Sequence, residues 1–118
     1  MALPATVTDP HSEVIDRMFA SAKQASALLK SLSHESRLLI LCILSGGEKT
    51  VTELEEILAL RQPTVSQQLS RLRIDGLVET RREGKAVYYS LASEDVKRVI
   101  GVLYDIYCAV PVSQDHAG

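Results

Sequence analysis

The segment from Arg61 to Val78 constrains the fold of this chain more than any other part of its sequence. Pro63 stands near the start of the segment, and a proline inside a helix is tolerated only in the first turn. Gly76, near the end of the segment, is a typical helix stop. The segment therefore predicts one short helix, whose core-facing stripe consists of Val65, Leu69 and Leu72.

The opposite face of this helix carries short amides, hydroxyls and an arginine, whereas an ordinary solvated helix usually prefers Glu and Lys. Amides and hydroxyls can bond to base edges, and arginine can bind phosphate, so this face suits a DNA-recognition helix. A solvated face without a ligand is the alternative. The predicted DNA-binding residues of the helix are Gln62, Thr64, Ser66, Gln67, Gln68 and Arg71.

A second short helix precedes the recognition helix. Thr50 predicts its N-cap, and the helix should end near Leu58. Because only the turn from Ala59 to Arg61 separates the two helices, they are predicted to form a helix-turn-helix. The inward face of the first of these helices is predicted to consist of Val51, Leu54, Ile57 and Leu58.

After Gly76 the sequence changes to residues typical of strands. The β-rich runs 77–81 and 86–91 are separated by Arg82-Glu-Gly-Lys, which is a hairpin signature. A hairpin directly behind a helix-turn-helix is called a wing. Ordinary exposed charges are the alternative to a DNA contact here, but the predicted wing tip offers three cations to the DNA backbone or minor groove: Arg81, Arg82 and Lys85.

Further helices flank this unit. Apolar residues at three- and four-residue spacing predict a first helix over 12–30, and Ser33 is expected to cap a second helix over about 34–45. The middle of the second helix is apolar on all sides, which indicates a central position. A last helix should begin after Ser93 and end before Pro111.

The predicted fold class is mainly α with a small β-hairpin wing, a winged helix-turn-helix in one domain over residues 12–110. Because the first and last helices are both amphipathic, we expect a homodimer that forms through these two helices. Residues 1–11 are expected to be a flexible N-terminal arm, and residues 111–118 a flexible tail.

Charge is distributed unevenly along the chain, although the net charge is −2. Residues 61–85 hold six basic and three acidic side chains, which gives +3, whereas residues 48–60 hold four acidic and one basic side chain, which gives −3. A basic region on an acidic body steers the correct face toward phosphate. The sequence therefore predicts double-stranded DNA as a partner.

Several classes of protein are disfavoured by the sequence. No run approaches the roughly 18 apolar residues of a membrane span. The first residues lack the charged and apolar regions of a signal peptide, so we expect a cytoplasmic protein without membrane contact. No Ser/His/Asp, Cys/His or carboxylate pair stands at a spacing suited to catalysis, and we predict that the chain is not an enzyme.

The order of these elements and two sequence strings resemble the ArsR family of bacterial repressors. The strings are Leu32-Ser-His-Glu-Ser-Arg-Leu-Leu-Ile-Leu and Thr64-Val-Ser-Gln-Gln-Leu-Ser-Arg-Leu-Arg-Ile-Asp-Gly-Leu-Val, and the likeness covers about residues 15–108. The resemblance implies a homodimer that binds a palindromic operator and releases it on meeting an inducer. It also implies that the major groove is read by Gln62, Thr64, Ser66 and Gln67.

The sequence departs from the metal sensors of that family. Those proteins carry a Cys-x-Cys-type motif on the first helix of the helix-turn-helix, where this chain reads Val51-Thr-Glu-Leu-Glu-Glu-Ile. Others place Asp and His ligands on the terminal helix, but residues 94–110 contain no histidine. The histidines at 11, 34 and 116 stand at no ligand spacing. We therefore expect neither a metal nor a cofactor.

The two cysteines, Cys42 in the second predicted helix and Cys108 near the end of the last, are placed similarly to those of the sulfide- and persulfide-responsive SqrR and BigR subgroup. This resemblance implies that the two thiols face each other within one protomer. It further implies that reactive sulfur species, the expected inducer, join them by a reversible disulfide or polysulfide bridge that releases DNA.

Other interpretations of the cysteines remain open. A lone cysteine among Leu and Ile is more often an inert, small buried hydrophobic residue than a reactive one. A repressor of the same family could instead respond to general oxidants or to a soft metal(loid). A winged helix that binds a protein partner is a further alternative.

Overall fold

The computed structural model describes residues 10–108, which form five helices and a two-stranded antiparallel sheet. The elements are α1 (Glu13–Leu32), α2 (Glu35–Leu44), α3 (Val51–Leu58), α4 (Gln62–Ile74), β1 (Val78–Glu83), β2 (Ala86–Leu91) and α5 (Glu94–Tyr107). This order confirms the predicted mainly helical fold with a hairpin wing. The predicted arm, apart from residues 10 and 11, and the predicted tail lie outside the described residues. The chain divides into two compact units, Met1–His34 and Glu35–Gly118.

The first unit contains α1, which is capped at both ends by serine. The hydroxyl of Ser12 accepts a hydrogen bond from the backbone N–H of Ile15 at 3.1 Å. At the other end, the N–H and the hydroxyl of Ser33 both donate to the carbonyl of Lys30, at 3.3 and 2.7 Å. The prediction that Ser33 caps α2 is wrong. Its backbone is helical, at φ −72° and ψ −6°, whereas an N-cap residue is extended.

One face of α1 is apolar and open to solvent in the single chain. Phe19 exposes 75% of its surface and Leu29 exposes 60%. An apolar groove of about 290 Å³ runs along the same helix and is lined by Ile15, Met18, Phe19 and Ala22. A contiguous apolar surface of this kind is typical of a face that binds another protein surface.

The second unit is built around an aliphatic core. Helix α2 packs against α4, α5 and β2, as its predicted central position requires, and α3 packs against α4. The predicted stripe of α4 is fully buried, which confirms its orientation. The prediction that Ile57 faces inward is wrong, since 54% of it is exposed. The short helix α3 buries the face centred on Leu54, and Ile57 lies about 60° away from Leu54 around the helix.

The wing is a tight hairpin. Its closing pair is Glu83 with Ala86, so that only Gly84 and Lys85 form the turn. Gly84 has a φ of +61°, a left-handed conformation that glycine adopts without steric cost. The turn is therefore two residues shorter than predicted, because Arg82 and Glu83 belong to β1.

Helix α5 follows the wing. The hydroxyl of Ser93 accepts a hydrogen bond from the N–H of Val96 at 3.2 Å, which confirms the predicted cap. The helix ends at Tyr107, earlier than predicted, and the N–H of the C-cap residue Cys108 donates to the carbonyl of Tyr104 at 2.8 Å. One face is buried in the second unit, but the last turn is largely exposed, with 80% of Tyr107 open to solvent.

Candidate nucleic-acid interface and thiol pair

The start of the helix-turn-helix is fixed by a reciprocal cap at α3. The hydroxyl of Thr50 accepts from the N–H of Glu53 at 3.2 Å, and the carboxylate of Glu53 accepts from the N–H of Thr50 at 2.9 Å. This capping box satisfies two backbone donors that a helix N-terminus otherwise leaves without partners. Helix α3 therefore has a defined start although it is only eight residues long.

The turn between α3 and α4 is less favourable. Ala59 is left-handed, at φ +54° and ψ +32°, a conformation that costs an L-residue with a Cβ roughly 1–2 kcal/mol. Arg61, the N-cap residue of α4, makes no side-chain hydrogen bond to the helix. No local signal in the sequence predicts the left-handed conformation of Ala59, since such a position is usually occupied by glycine or asparagine.

Helix α4 presents its polar face away from the core. Val65, Leu69 and Leu72 are fully buried, so the residues on the other side of the helix point outward. The predicted DNA-binding side chains all lie on accessible surface, and the structure brings them together on one helix. Gln62, Gln67 and Arg71 are exposed, and Thr64, Ser66 and Gln68 are half-buried.

A carboxylate at the end of α4 connects this helix to α2. A carboxylate oxygen of Asp75 lies 3.5 Å from Nε of Arg71 and 3.8 Å from a terminal guanidinium nitrogen of Arg37. Arg71 remains 63% exposed and can still turn toward phosphate. Arg37 and Asp75 were not predicted from the sequence, because an ion pair between residues so distant in the chain leaves no local signal.

The wing presents two exposed cations at or near its tip. Lys85 lies in the turn and Arg82 next to the closing pair, and both are exposed. The prediction that Arg81 lies at the tip is wrong, because the antiparallel register places it opposite Tyr88, two pairs below the closing pair. Its guanidinium bonds to two carboxylates, those of Glu48 and Glu83.

The bonds around Arg81 also affect protonation. Hydrogen bonds from Arg81 hold the pKa of the Glu48 carboxyl below its ordinary value, and the charges of Arg81 and Lys49 lower this pKa further. The carboxylates of Glu48 and Glu83 in turn raise the pKa of the guanidinium of Arg81. The pair therefore stays fully charged at neutral pH.

The two cysteines occupy neighbouring elements of the second unit. Cys42 is half-buried on α2, Cys108 is exposed at the C-cap of α5, and both are free thiols. Helices α2 and α5 pack against each other. Burial raises the pKa of the Cys42 thiol, and the negative charge of the Cys108 thiolate raises it further.

Two further properties concern residues 10–108 alone. In this part of the chain, no three side chains of His, Cys, Asp or Glu lie together in a way that could hold a metal ion. None of the helices described here combines the length and the apolar character needed to cross a membrane.

A helix-turn-helix followed by a hairpin defines a winged-helix DNA-binding protein. The model for "Bacterial regulatory protein, arsR family" matches residues 34–80. The chain is also 50% identical over 88 residues to the biofilm growth-associated repressor of Agrobacterium fabrum, an alignment that covers 75% of each protein. The chain belongs to the ArsR family and is a transcriptional regulator with a DNA-binding winged helix.

Solved structures agree with this assignment. Reduced HlyU from Vibrio cholerae superimposes with a TM-score of 0.75 at 44% identity, covering 79% of this chain and 98% of that one. The homodimeric winged helix-turn-helix domain of Mb0332 from Mycobacterium bovis, described as a possible ArsR-family regulator, gives a TM-score of 0.67 at 34% identity. That match covers 83% of this chain and 88% of the other.

Proposed function

We propose that this regulator is a homodimeric repressor that releases its operator when Cys42 and Cys108 are joined by a disulfide or polysulfide bridge. The observation that carries the proposal is that the two free thiols stand on α2 and at the C-cap of α5, two helices that pack against each other. Reactive sulfur species, such as persulfides and polysulfides, are the proposed inducer.

The DNA-binding half of the proposal rests on α4 and the wing tip. The accessible amides and hydroxyls of α4 read base edges in the major groove, and Arg71 binds phosphate. Arg82 and Lys85 contact the backbone or the minor groove. The proposed base-reading residues are Gln62, Thr64, Ser66, Gln67 and Gln68.

Two copies of the chain pair through α1 and α5. The apolar face of α1 around Phe19 and the exposed last turn of α5 around Tyr107 would both be covered in such a dimer. The homodimeric state of Mb0332 supports the pairing of two copies. A two-fold dimer presents its recognition helices to half-sites about 34–36 Å apart, which matches a palindromic operator.

The two thiols have different roles in the proposed reaction. Cys108 is exposed and meets the inducer first, and its thiolate takes the outer sulfur of a persulfide RSSH and expels the thiolate RS⁻. Cys42 is held back by its raised pKa and reacts second. Its thiolate attacks the inner sulfur of the Cys108 persulfide and expels HS⁻, which leaves a disulfide. Attack by a persulfidated Cys42 leaves one more sulfur in the bridge.

Release of DNA follows from tying α2 to α5. Helix α2 packs on α4, and its Arg37 forms an ion pair with Asp75 at the C-terminal end of α4. A shift of α2 is therefore transmitted to the recognition helix. Helix α5 belongs to the proposed dimer interface, which sets the separation of the two recognition helices. Coupling free energies of about 1–3 kcal/mol are typical of such linked sites.

Mass spectrometry tests the bridge directly. Protein treated with polysulfide should yield one peptide that joins both cysteines, and the same treatment should release operator DNA. Peroxide at equal oxidising equivalents and a titration with soft metals serve as comparisons. If peroxide or metal releases DNA as well as polysulfide does, or if the cysteines modify without joining, this sensing mechanism is wrong while DNA binding stands.

A further inference from the structure

Each nitrogen of the Arg81 guanidinium donates a hydrogen bond to a carboxylate. Its Nε donates to both carboxylate oxygens of Glu48, at 3.0 and 2.9 Å, and a terminal nitrogen donates to the same carboxylate. The other terminal nitrogen donates to Glu83 at 2.9 Å. The guanidinium also lies over the ring of Tyr88, 4.6 Å from its centre. This geometry is the fork-to-carboxylate arrangement in which arginine binds most specifically.

We propose that Arg81 is a positioning residue that fixes the wing against the helix-turn-helix through Glu48, and that it does not bind DNA phosphate. The proposal rests on the DNA binding of the family and is independent of the thiol switch. The tip of the wing then makes the electrostatic contact with DNA, and the contact of Arg81 with Glu48 sets the orientation of the wing.

The position of Glu48 gives this contact its effect. Glu48 stands two residues before Thr50, the N-cap of α3, and so lies at the entrance to the helix-turn-helix. The next residue, Lys49, forms a bridge with Tyr89 of β2 through two backbone hydrogen bonds of 3.0 and 2.8 Å. The base of the hairpin also packs on helices, β1 on α4 and β2 on α2, α3 and α5. The Arg81–Glu48 contact adds a charged attachment farther along β1, which restricts movement of the outer part of the wing relative to α3.

The local charge argues against a phosphate contact. Two carboxylates bind one guanidinium, so the positive charge of Arg81 is already offset by its protein partners. Arg81 would have to leave Glu48 and Glu83 before it could bind DNA. Arg82 and Lys85 have no such competitor among the ion pairs of residues 10–108.

Charge reversal separates the two roles. Glu48→Arg and Arg81→Glu should each weaken operator binding about fivefold, the upper range for an exposed ion pair, because each leaves like charges facing each other. The double variant restores the pair in reverse and should bind nearly as well as the native protein. If Arg81 bound phosphate, Glu48→Arg would instead tighten binding by adding positive charge near DNA. Tighter binding of that variant overturns the proposal.

Salt dependence gives a second readout. Arg82→Ala should lower the slope of log affinity against log salt by about one, as the removal of one phosphate contact does. Arg81→Lys keeps the charge but removes the fork, and should weaken binding without changing the slope. Native affinity in Arg81→Lys, or a slope change in Arg81→Ala equal to that of Arg82→Ala, would show a phosphate contact.

Hydrogen exchange reports on the wing itself. The amides of Lys49 and Tyr89 should exchange faster in both charge-reversal variants and return to the native rate in the double variant, with thermal unfolding as the control for global stability. Unchanged exchange in all three variants would refute the positioning role. Polysulfide should still release DNA from every variant, because Cys42 and Cys108 are unchanged. A failure of the positioning role can therefore be distinguished from a failure of the thiol switch.

Discussion

The recognition helix and the thiol pair are assembled in different ways. Every residue of the proposed reading face of α4 comes from one continuous segment, and its orientation follows from three buried residues on the opposite side. The two cysteines of the proposed thiol pair stand on α2 and at the end of α5, which come together only because these two helices pack against each other. The first surface is therefore encoded locally, whereas the second depends on the tertiary fold.

Replacing Cys42 or Cys108 with Ser should produce the largest effect. Each change should abolish the release of DNA by polysulfide, because neither thiol alone can form an intramolecular bridge. DNA affinity without inducer should stay within about twofold, as for most changes away from a contact surface. A fluorescence anisotropy titration with and without polysulfide measures both quantities. Release that persists in both single variants would remove the dithiol from the mechanism.

Replacing Gln67 and Gln68 with Ala tests the other region. Affinity for the operator should fall about tenfold or more for each base that the variant no longer reads, while affinity for unrelated DNA stays the same. Lys85→Ala is the control, since removing a bond to phosphate weakens binding to all sequences alike. If the double variant reduces both affinities equally, the α4 surface does not read bases. The measurement requires competition with unrelated duplex at fixed salt.

Arg61→Ser probes how well α4 is held at its start. A serine at the N-cap can accept a backbone hydrogen bond that Arg61 does not, so the free energy of unfolding should rise by about 1 kcal/mol. Arg73→Ser is the control, because it removes one positive charge from α4 without changing the N-cap residue. The free energy of unfolding should not rise in this variant. Equal unfolding curves for Arg61→Ser and the native protein would mean that the cap is already satisfied.

The smallest expected effect concerns the pKa of Cys42. Alkylation of Cys42 should increase with pH and continue to increase above the ordinary thiol value of 9.0, because burial and the charge of Cys108 disfavour its thiolate. Cys108→Ser removes the charge of Cys108, which is the smaller of the two causes, but leaves the burial of Cys42 unchanged. The alkylation curve should therefore move toward lower pH but stay above that of an ordinary thiol. An identical curve in that variant would show that the two thiols do not interact.

Local signals in the sequence predicted much of the fold. Pro63, Gly76 and the buried stripe placed α4, and the change to β-rich residues placed the wing. The cap at Thr50 is likewise predicted correctly, because a threonine is a typical N-cap residue. The outward orientation of the proposed reading residues follows from the same periodicity.

Features that depend on distant residues could not be predicted in the same way. Glu48 and Arg81 are 33 positions apart, and their ion pair requires the register of the hairpin and its bridge to Lys49. Ser33 was assigned to the wrong helix, because a serine between two helices can cap either one. The proposed proximity of the two thiols is implied only by resemblance to a family, and no spacing in the sequence measures it.

The position of Cys108 at the very end of α5 has an evolutionary consequence. Adding or deleting one residue within that helix would rotate everything after it by about 100° and carry this sulfur atom away from Cys42. The recognition helix, which precedes α5 in the chain, would keep its sequence and its contacts. A single codon insertion could therefore yield a descendant that binds the same operator but ignores the original signal.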